Sequence, residues 1–177
     1  ILTIDNIAKG KSLHLDTRDL NIASITLDEN SATTFDLKPA TPFLGQELIV
    51  AIKPDTKKVD IEYTTSPNAA ALQWLSPAQT AGGKHPFRFT KSQAILARTW
   101  IPLQDSPGIR FTYEATVQCP AELMALMSAE NDTVLHADGV YHFHMPQPIP
   151  SYLMALSVGD LKFHAYDKRS GVFEEKG

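Results

Sequence analysis

The sequence lacks most of what marks a self-contained catalyst. Its single cysteine, Cys119, excludes an internal disulfide and every zinc site built on cysteine pairs. Glycine is scarce, and the one adjacent pair, Gly82-Gly83, does not have the spacing of a dinucleotide-binding fingerprint. There is no His-Glu-x-x-His zinc motif, no Gly-x-Ser-x-Gly elbow and no phosphate-binding loop. No apolar run approaches the roughly 20 residues that span a bilayer, and no charged start leads into an apolar stretch at the N-terminus, so no membrane partner is expected. An excess of positive charge is missing as well. Sixteen basic residues stand against 20 acidic ones, a net charge of −4, and Lys53, Lys57, Lys58 and the region from Lys84 to Lys91 are diluted by acids along the chain, which argues against nucleic acid.

What is present is an ordinary apolar fraction, 43%, in 177 residues. A chain of that length buries on the order of 70% of its unfolded surface, enough for one domain without disulfides or a structural metal. Twelve prolines leave little room for long helices, because proline inside a helix costs about 3 kcal/mol. Short β-branched runs bounded by turn formers fit better, and strands are expected over 24–27, 47–52 and 59–64, with turns at Asp28-Glu29-Asn30, Pro54-Asp55 and Ser66-Pro67-Asn68. From Ile109 to Val117 the odd positions are apolar or aromatic and the even ones polar, the pattern of a strand with one buried and one wet face, and Tyr141 to Met145 repeats it. The nearly continuous apolar run from Tyr152 to Val158 suits a strand covered on both faces, followed by a Gly159-Asp160 hairpin into Leu161 to Tyr166. Residues 121–128, Ala-Glu-Leu-Met-Ala-Leu-Met-Ser, are helix formers behind Pro120, so propensity favours a short helix and the neighbouring strands favour a strand. The fold class expected is all-β, a sandwich or a large curved sheet. The first residue is not Met, and Ile1 to Asp5 already alternates like a strand, so the chain is expected to begin inside a larger protein.

Candidate chemistry is sparse. Cys119 has no nearby cation in sequence to activate it and reads as a semi-buried thiol rather than a nucleophile. His142 and His144 share one face of a strand and could hold a metal, with His136 or His164 as conceivable third ligands; exposed strand histidines are the simpler reading. Asp16, Asp19 and Asp105 could pair as acid and base or sit in solvated turns. Trp74 and Trp100, with Phe87 and Phe89, could form a sugar-stacking platform or serve as buried anchors.

Longer blocks are more specific. Leu15-Asp16-Thr17-Arg18-Asp19-Leu20, Leu72-Gln73-Trp74-Leu75, the stretch from Gln93 to Pro102, Gln104-Asp105-Ser106-Pro107 and Pro148-Ile149-Pro150-Ser151-Tyr152-Leu153 follow one another along nearly the whole chain. In that order and spacing the sequence resembles the N-terminal β domain of M1-family zinc aminopeptidases, in the leukotriene A4 hydrolase-like branch.

The resemblance implies a saddle-shaped, mostly antiparallel β domain, residues 1–177, that lacks its first strands and the catalytic domain that follows in the same polypeptide. It implies a strand over 122–128. It also implies a peptide substrate and a zinc ion held outside this segment, where the metal polarises the scissile carbonyl and activates water. No catalytic or metal-binding residue is expected here. The residues it carries over are Gln93 and Ala94, on a loop that reaches the substrate's N-terminal end as one wall of the cleft. A Gln carbonyl can accept a hydrogen bond from an α-ammonium, more weakly than the Glu common in the wider family. Lys91 departs from the branch's usual neutral residue, and a cation there weakens binding of a cationic N-terminus unless it points away. A domain cut from its partner should expose a sheet edge and an apolar face. The alternative reading is a stand-alone β-sandwich module for protein or carbohydrate.

Overall fold

The computed structural model describes residues 2–4, 9–28 and 30–177. Its strands divide between two compact units, Ile1–Ala71 with Ala94–Ser106, and Leu72–Gln93 with Pro107–Gly177. Every strand pairing is antiparallel, as the all-β expectation requires.

Unit one holds β1 (Leu2–Thr3), β2 (Ser12–Thr17), β3 (Asn21–Leu27), β4 (Ser31–Ala32), β5 (Phe35–Leu37), β6 (Gln46–Ala51) and β7 (Lys58–Thr64). They form two sheets, in the orders β1-β7-β3-β4 and β2-β6-β5. The period-two alternation puts Leu15 of β2 and Leu48 and Val50 of β6 on one inner face, and Ile25, Leu27 and Val59 of β3 and β7 on the other. All of them, with Ile52, belong to one buried cluster, so the two sheets face each other as a sandwich. A bulge between Ile22 and Ser24 lets Ile22 and Ile25 both turn inward although they are three apart. The strands expected at 24–27, 47–52 and 59–64 are all found. Ile1, Asp5 and Glu29, which belong to the expected first strand and first turn, lie outside the described residues.

Unit two holds β8 (Leu72–Leu75), β9 (Phe87–Thr90), β10 (Arg110–Gln118), β11 (Met124–Met127), β12 (Val140–Pro150), β13 (Leu156–Gly159), β14 (Leu161–Ala165) and β15 (Gly171–Glu175). The orders are β11-β13-β9-β8, β10-β12 and β14-β15. Strand β10 alternates as expected from Phe111 onward, while Ile109 stays outside the strand and exposed. Opposite Phe111 and Tyr113 the register of β12 jumps from Ile149 to Met145, and this bulge carries Pro146 and Pro148, which have no N–H to give a ladder.

The helix-forming segment is a strand. Met124, Ala125 and Met127 are buried and β11 pairs with β13, so burial outweighs propensities that differ by tenths of a kcal/mol per residue. The side chain of Asn131 then ends the edge: it accepts from Met127 N–H and donates to Met127 O, both at 2.8 Å, as a neighbouring strand would.

Two expectations fail here. The apolar run from Tyr152 to Val158 is not one strand; Ser151–Leu153 is a 3-10 turn, Leu153 is exposed, and the strand starts only at Leu156. Gly159-Asp160 is not a hairpin turn, because β13 pairs with β11 and β9, whereas β14 pairs with β15. Gly159 is glycine for another reason: a Cβ there would stand 2.5 Å from the Phe87 ring.

Candidate functional site

The turn expected to face substrate lies between two fastened stretches. Gln93 and Ala94 are exposed, in a turn that continues through Ile95 and Leu96 into a 3-10 helix, Ala97–Thr99. No hydrogen bond holds the Gln93 amide among the described residues, so its carbonyl and amino groups are available to a ligand. Lys91 is exposed too. On the unit-two side, Ser92 Oγ donates to Met154 O at 3.2 Å and Thr90 Oγ1 accepts from Leu156 N–H at 2.9 Å, which ties the approach to the β13 strand.

On the unit-one side the fastening is a buried charge network. Arg98 is 6% exposed. Its Nε donates to Asp105 Oδ2 at 3.1 Å, one terminal amino group to Asp105 O at 3.1 Å, and the other to Leu44 O at 2.8 Å. Asp16 Oδ1 stands 3.3 Å from the same guanidinium, and Asp16 Oδ2 accepts from Asp105 N–H at 2.9 Å. Backbone bonds from Arg18 N–H to Arg98 O and from Asp16 N–H to Leu103 O lay residues 98–103 along the end of β2. Thr99 Oγ1 accepts from Ala71 N–H, and the Tyr63 hydroxyl donates to Trp100 O at 3.0 Å; burial pushes the Tyr63 phenol up to about 12, so it stays protonated. The Leu44 carbonyl reaches Arg98 because Gly45, at φ +83°, closes the 41–45 loop against the Thr17 backbone where a Cβ would not fit.

This corrects the solvated-turn reading of the carboxylates for two of the three. Asp105 is 2% exposed and Asp16 is half-buried beside it, whereas Asp19 points outward with a distant Arg18 partner at 3.8 Å. Asp16 and Asp105 share one arginine instead of facing each other as acid and base. The sequence carried a signal for this: Arg98 interrupts an apolar stretch from Ala94 to Ile101, and an arginine buried there requires carboxylates.

The other candidates stay apart. His142 and His144 do share the outer face of β12, but Nδ1 of His142 meets Thr116 Oγ1 at 3.1 Å and Nδ1 of His144 lies 3.5 Å from Glu114. His136 is bonded to Asp132 and Val140 O, and His164 to Glu174. Among the described residues no three His, Cys, Asp or Glu side chains come together as metal ligands, so this donor set does not fit a zinc ion. Burial and Glu122 push the Cys119 thiol up, and its Sγ donates to Leu123 O, which suits an inert thiol. Trp100 is buried as an anchor, while Trp74 is 53% exposed under the Arg88 guanidinium, so the buried-anchor reading holds for the first and not for the second.

Compared with known families, residues 2–153 match the Peptidase M1 N-terminal domain. Leukotriene A-4 hydrolase of Xenopus laevis is 41% identical over 175 residues, which cover 93% of this chain and 29% of that protein. Leucine aminopeptidase 2 of Yarrowia lipolytica is 35% identical over 180 residues, 98% of this chain and 27% of the relative. The chain therefore spans less than a third of these relatives. Among solved structures, native leukotriene A4 hydrolase of Saccharomyces cerevisiae superposes with a TM-score of 0.85 at 32% identity, over 94% of this chain and 26% of the other. An M1 zinc metallopeptidase of Deinococcus radiodurans, 18% identical with a TM-score of 0.68 over 92% of this chain and 38% of its own, shares the fold.

Proposed function

The chain belongs to the Peptidase M1 N-terminal domain family, and from that membership we propose that it is the non-catalytic N-terminal part of a zinc aminopeptidase, forming one wall of the cleft that receives a peptide's N-terminus. In this reading the zinc and the catalytic groups belong to a domain of the same polypeptide outside residues 1–177, and the segment alone has no peptidase activity. Gln93 and Ala94 are the substrate-facing residues. One observation carries their assignment: inside the matched span, the Gln93-Ala94 turn is exposed with its amide unengaged, while the chain on either side is pinned by buried or partly buried hydrogen bonds. Gln93 follows directly on Ser92, whose side chain is bonded to Met154, so its backbone needs little further ordering when a reactant binds. The Gln93 carbonyl accepts from the substrate's α-ammonium, a hydrogen bond with one charged partner that contributes on the order of 1.5–3 kcal/mol.

In the full-length enzyme Gln93→Ala should therefore raise KM for aminoacyl and peptide substrates by about tenfold, the equivalent of roughly 1.4 kcal/mol, with zinc content and thermal stability unchanged. Wild-type kinetics in that variant would remove Gln93 from the site.

A further inference from the structure

Unit two carries a cation that the unit does not neutralise. No Asp or Glu stands between Glu62 and Asp105, in a chain whose net charge is −4. Of the cations in that acid-free stretch, Arg98 is matched by Asp16 and Asp105, but Lys84, Arg88 and Lys91 enter no ion pair among the described residues. Arg88 is the one held in place. It lies on β9 directly across from Trp74 on β8, the edge strand of its sheet, with its guanidinium carbon 3.6 Å from the centre of the indole. Stacking of this kind uses the flat face of the guanidinium and leaves its in-plane N–H groups to acceptors. Yet Nε is shut off from water and has no acceptor, and burial pulls the pKa of Arg88 down. The group is thus partly desolvated without a counter-charge, the condition under which an incoming carboxylate gains most. On the same strand Phe87 and Phe89 stack at 5.7 Å, and Phe87 fits against Gly159 of β13.

The end of the chain lies beside the same hairpin. In the connection from β8 to β9, Ala81 N–H donates to Glu175 Oε2 at 3.3 Å, and a Cβ on Gly82 would stand 2.7 Å from Lys176 O. Glu175 and Lys176 thus lie against the β8–β9 connection.

We propose that the Trp74–Arg88 pair is a docking site for an Asp or Glu carboxylate carried by the polypeptide that follows Gly177 in the full-length protein. This rests on the reading of the chain as the N-terminal part of a longer M1 protein. A carboxylate fits better than a polyphosphate, because one clamped arginine and two lysines on an acidic chain do not make the basic stripe that nucleic acid requires. A carboxylate can take two parallel hydrogen bonds from the terminal amino groups of Arg88, the edge of the guanidinium that Nε does not share, while Trp74 becomes covered.

The test uses the full-length protein with Arg88→Lys, treated with a carbodiimide that joins an amine to a contacting carboxylate, and mass spectrometry of the linked peptides. The expected product is an intramolecular link from position 88 to an Asp or Glu beyond Gly177, severalfold more abundant than links from Lys84 or Lys91. In parallel, Arg88→Glu should speed amide hydrogen exchange in β8 severalfold, and Lys84→Glu should not. Links from position 88 only to residues 1–177 or only to other molecules, or β8 exchange unmoved by Arg88→Glu, would overturn the proposal. So would protection of β8 by added inorganic phosphate in place of any link, which would make the site one for free anions. Zinc content and aminopeptidase activity of the same preparation report separately on the M1 reading, so an active zinc enzyme without the link refutes the docking site alone.

Discussion

Unit one buries an ion pair, Arg98 with Asp105, and among the described residues unit two buries no charged side chain. In unit one Arg98 and Asp105 are almost without exposure, and the guanidinium finds its acceptors on Asp105, Leu44 and Asp16 of the same unit. In unit two the buried apolar side chains are Leu123, Met124, Ala125, Met127, Tyr141, Phe143, Ile149 and Leu161, the buried polar ones are serines, and the cations and histidines are at least partly exposed, Arg88 among them with an orphaned N–H. The cores differ in kind as well: unit one stacks Leu, Ile and Val between two sheets, whereas unit two fills its interior with larger, more adaptable Met and aromatic groups. The difference teaches where each unit's incomplete chemistry points. A charge network closed on itself fixes a turn; an arginine left open calls for an acceptor from elsewhere.

The sharpest separation of the two should come from Arg98→Ala. Removing the guanidinium leaves Asp105 buried and unpaired and frees the Leu44 carbonyl, a loss of about 3–5 kcal/mol. Urea unfolding followed through the buried Trp100, which lies in the same segment, measures it. A cost below about 1 kcal/mol would mean the network is solvated and the contrast between the units false.

Next in size is Asn131→Ala, the polar fastening of unit two. It strands the N–H and carbonyl of Met127, a residue 7% exposed, and should cost about 1–3 kcal/mol. The loss should appear as faster amide exchange confined to β11, with unit one untouched. Exchange that rises equally in β6 would show that the units do not hold their strands independently.

These expectations also mark what sequence reasoning reached. Strands with a clean period of two, such as β7 and β10, were evident from one face being apolar. The strand β11 was not, since Met-Ala-Leu-Met favours a helix locally and only pairing with β13 and the Asn131 side chain decide it. The break at Ser151–Leu153 escaped for the opposite reason: an unbroken apolar run hides a 3-10 turn, because hydrophobicity without periodicity carries no direction. At the candidate site, Gln93 and Ala94 came from family resemblance alone and not from any local pattern. Arg98 could have been found from its apolar surroundings. The Trp74–Arg88 pair could not, because it depends on the β8–β9 register, which the loop between them does not reveal.

The smallest effect concerns a histidine of unit two, where charges lie outside and pH can reach them. His136 Nδ1 lies 2.7 Å from Val140 O and Nε2 lies 2.9 Å from Asp132, so both ring nitrogens face acceptors and only the doubly protonated ring satisfies both. The Val140 carbonyl first and the Asp132 carboxylate second hold its pKa above the ordinary 6.5, Asp138 adds to this, and Tyr141 stacks on the ring at 4.6 Å. A raised folded pKa means that protonation favours the folded state. The contribution is complete below the unfolded value near 6.5 and disappears as pH rises through the higher folded value. The thermal midpoint of the wild type should therefore exceed that of His136→Gln most clearly below pH 6.5, and the gap should narrow at higher pH. In unit one the only described histidine, His14, has Glu47 at Nδ1 and the Ser12 hydroxyl at Nε2; a hydroxyl donates as well as accepts, so this ring, unlike that of His136, does not face two groups that can only accept. Consequently His14→Gln should leave the narrowing intact. A gap that widens with pH would mean that the ring is neutral in the folded state and that one of its two contacts is broken.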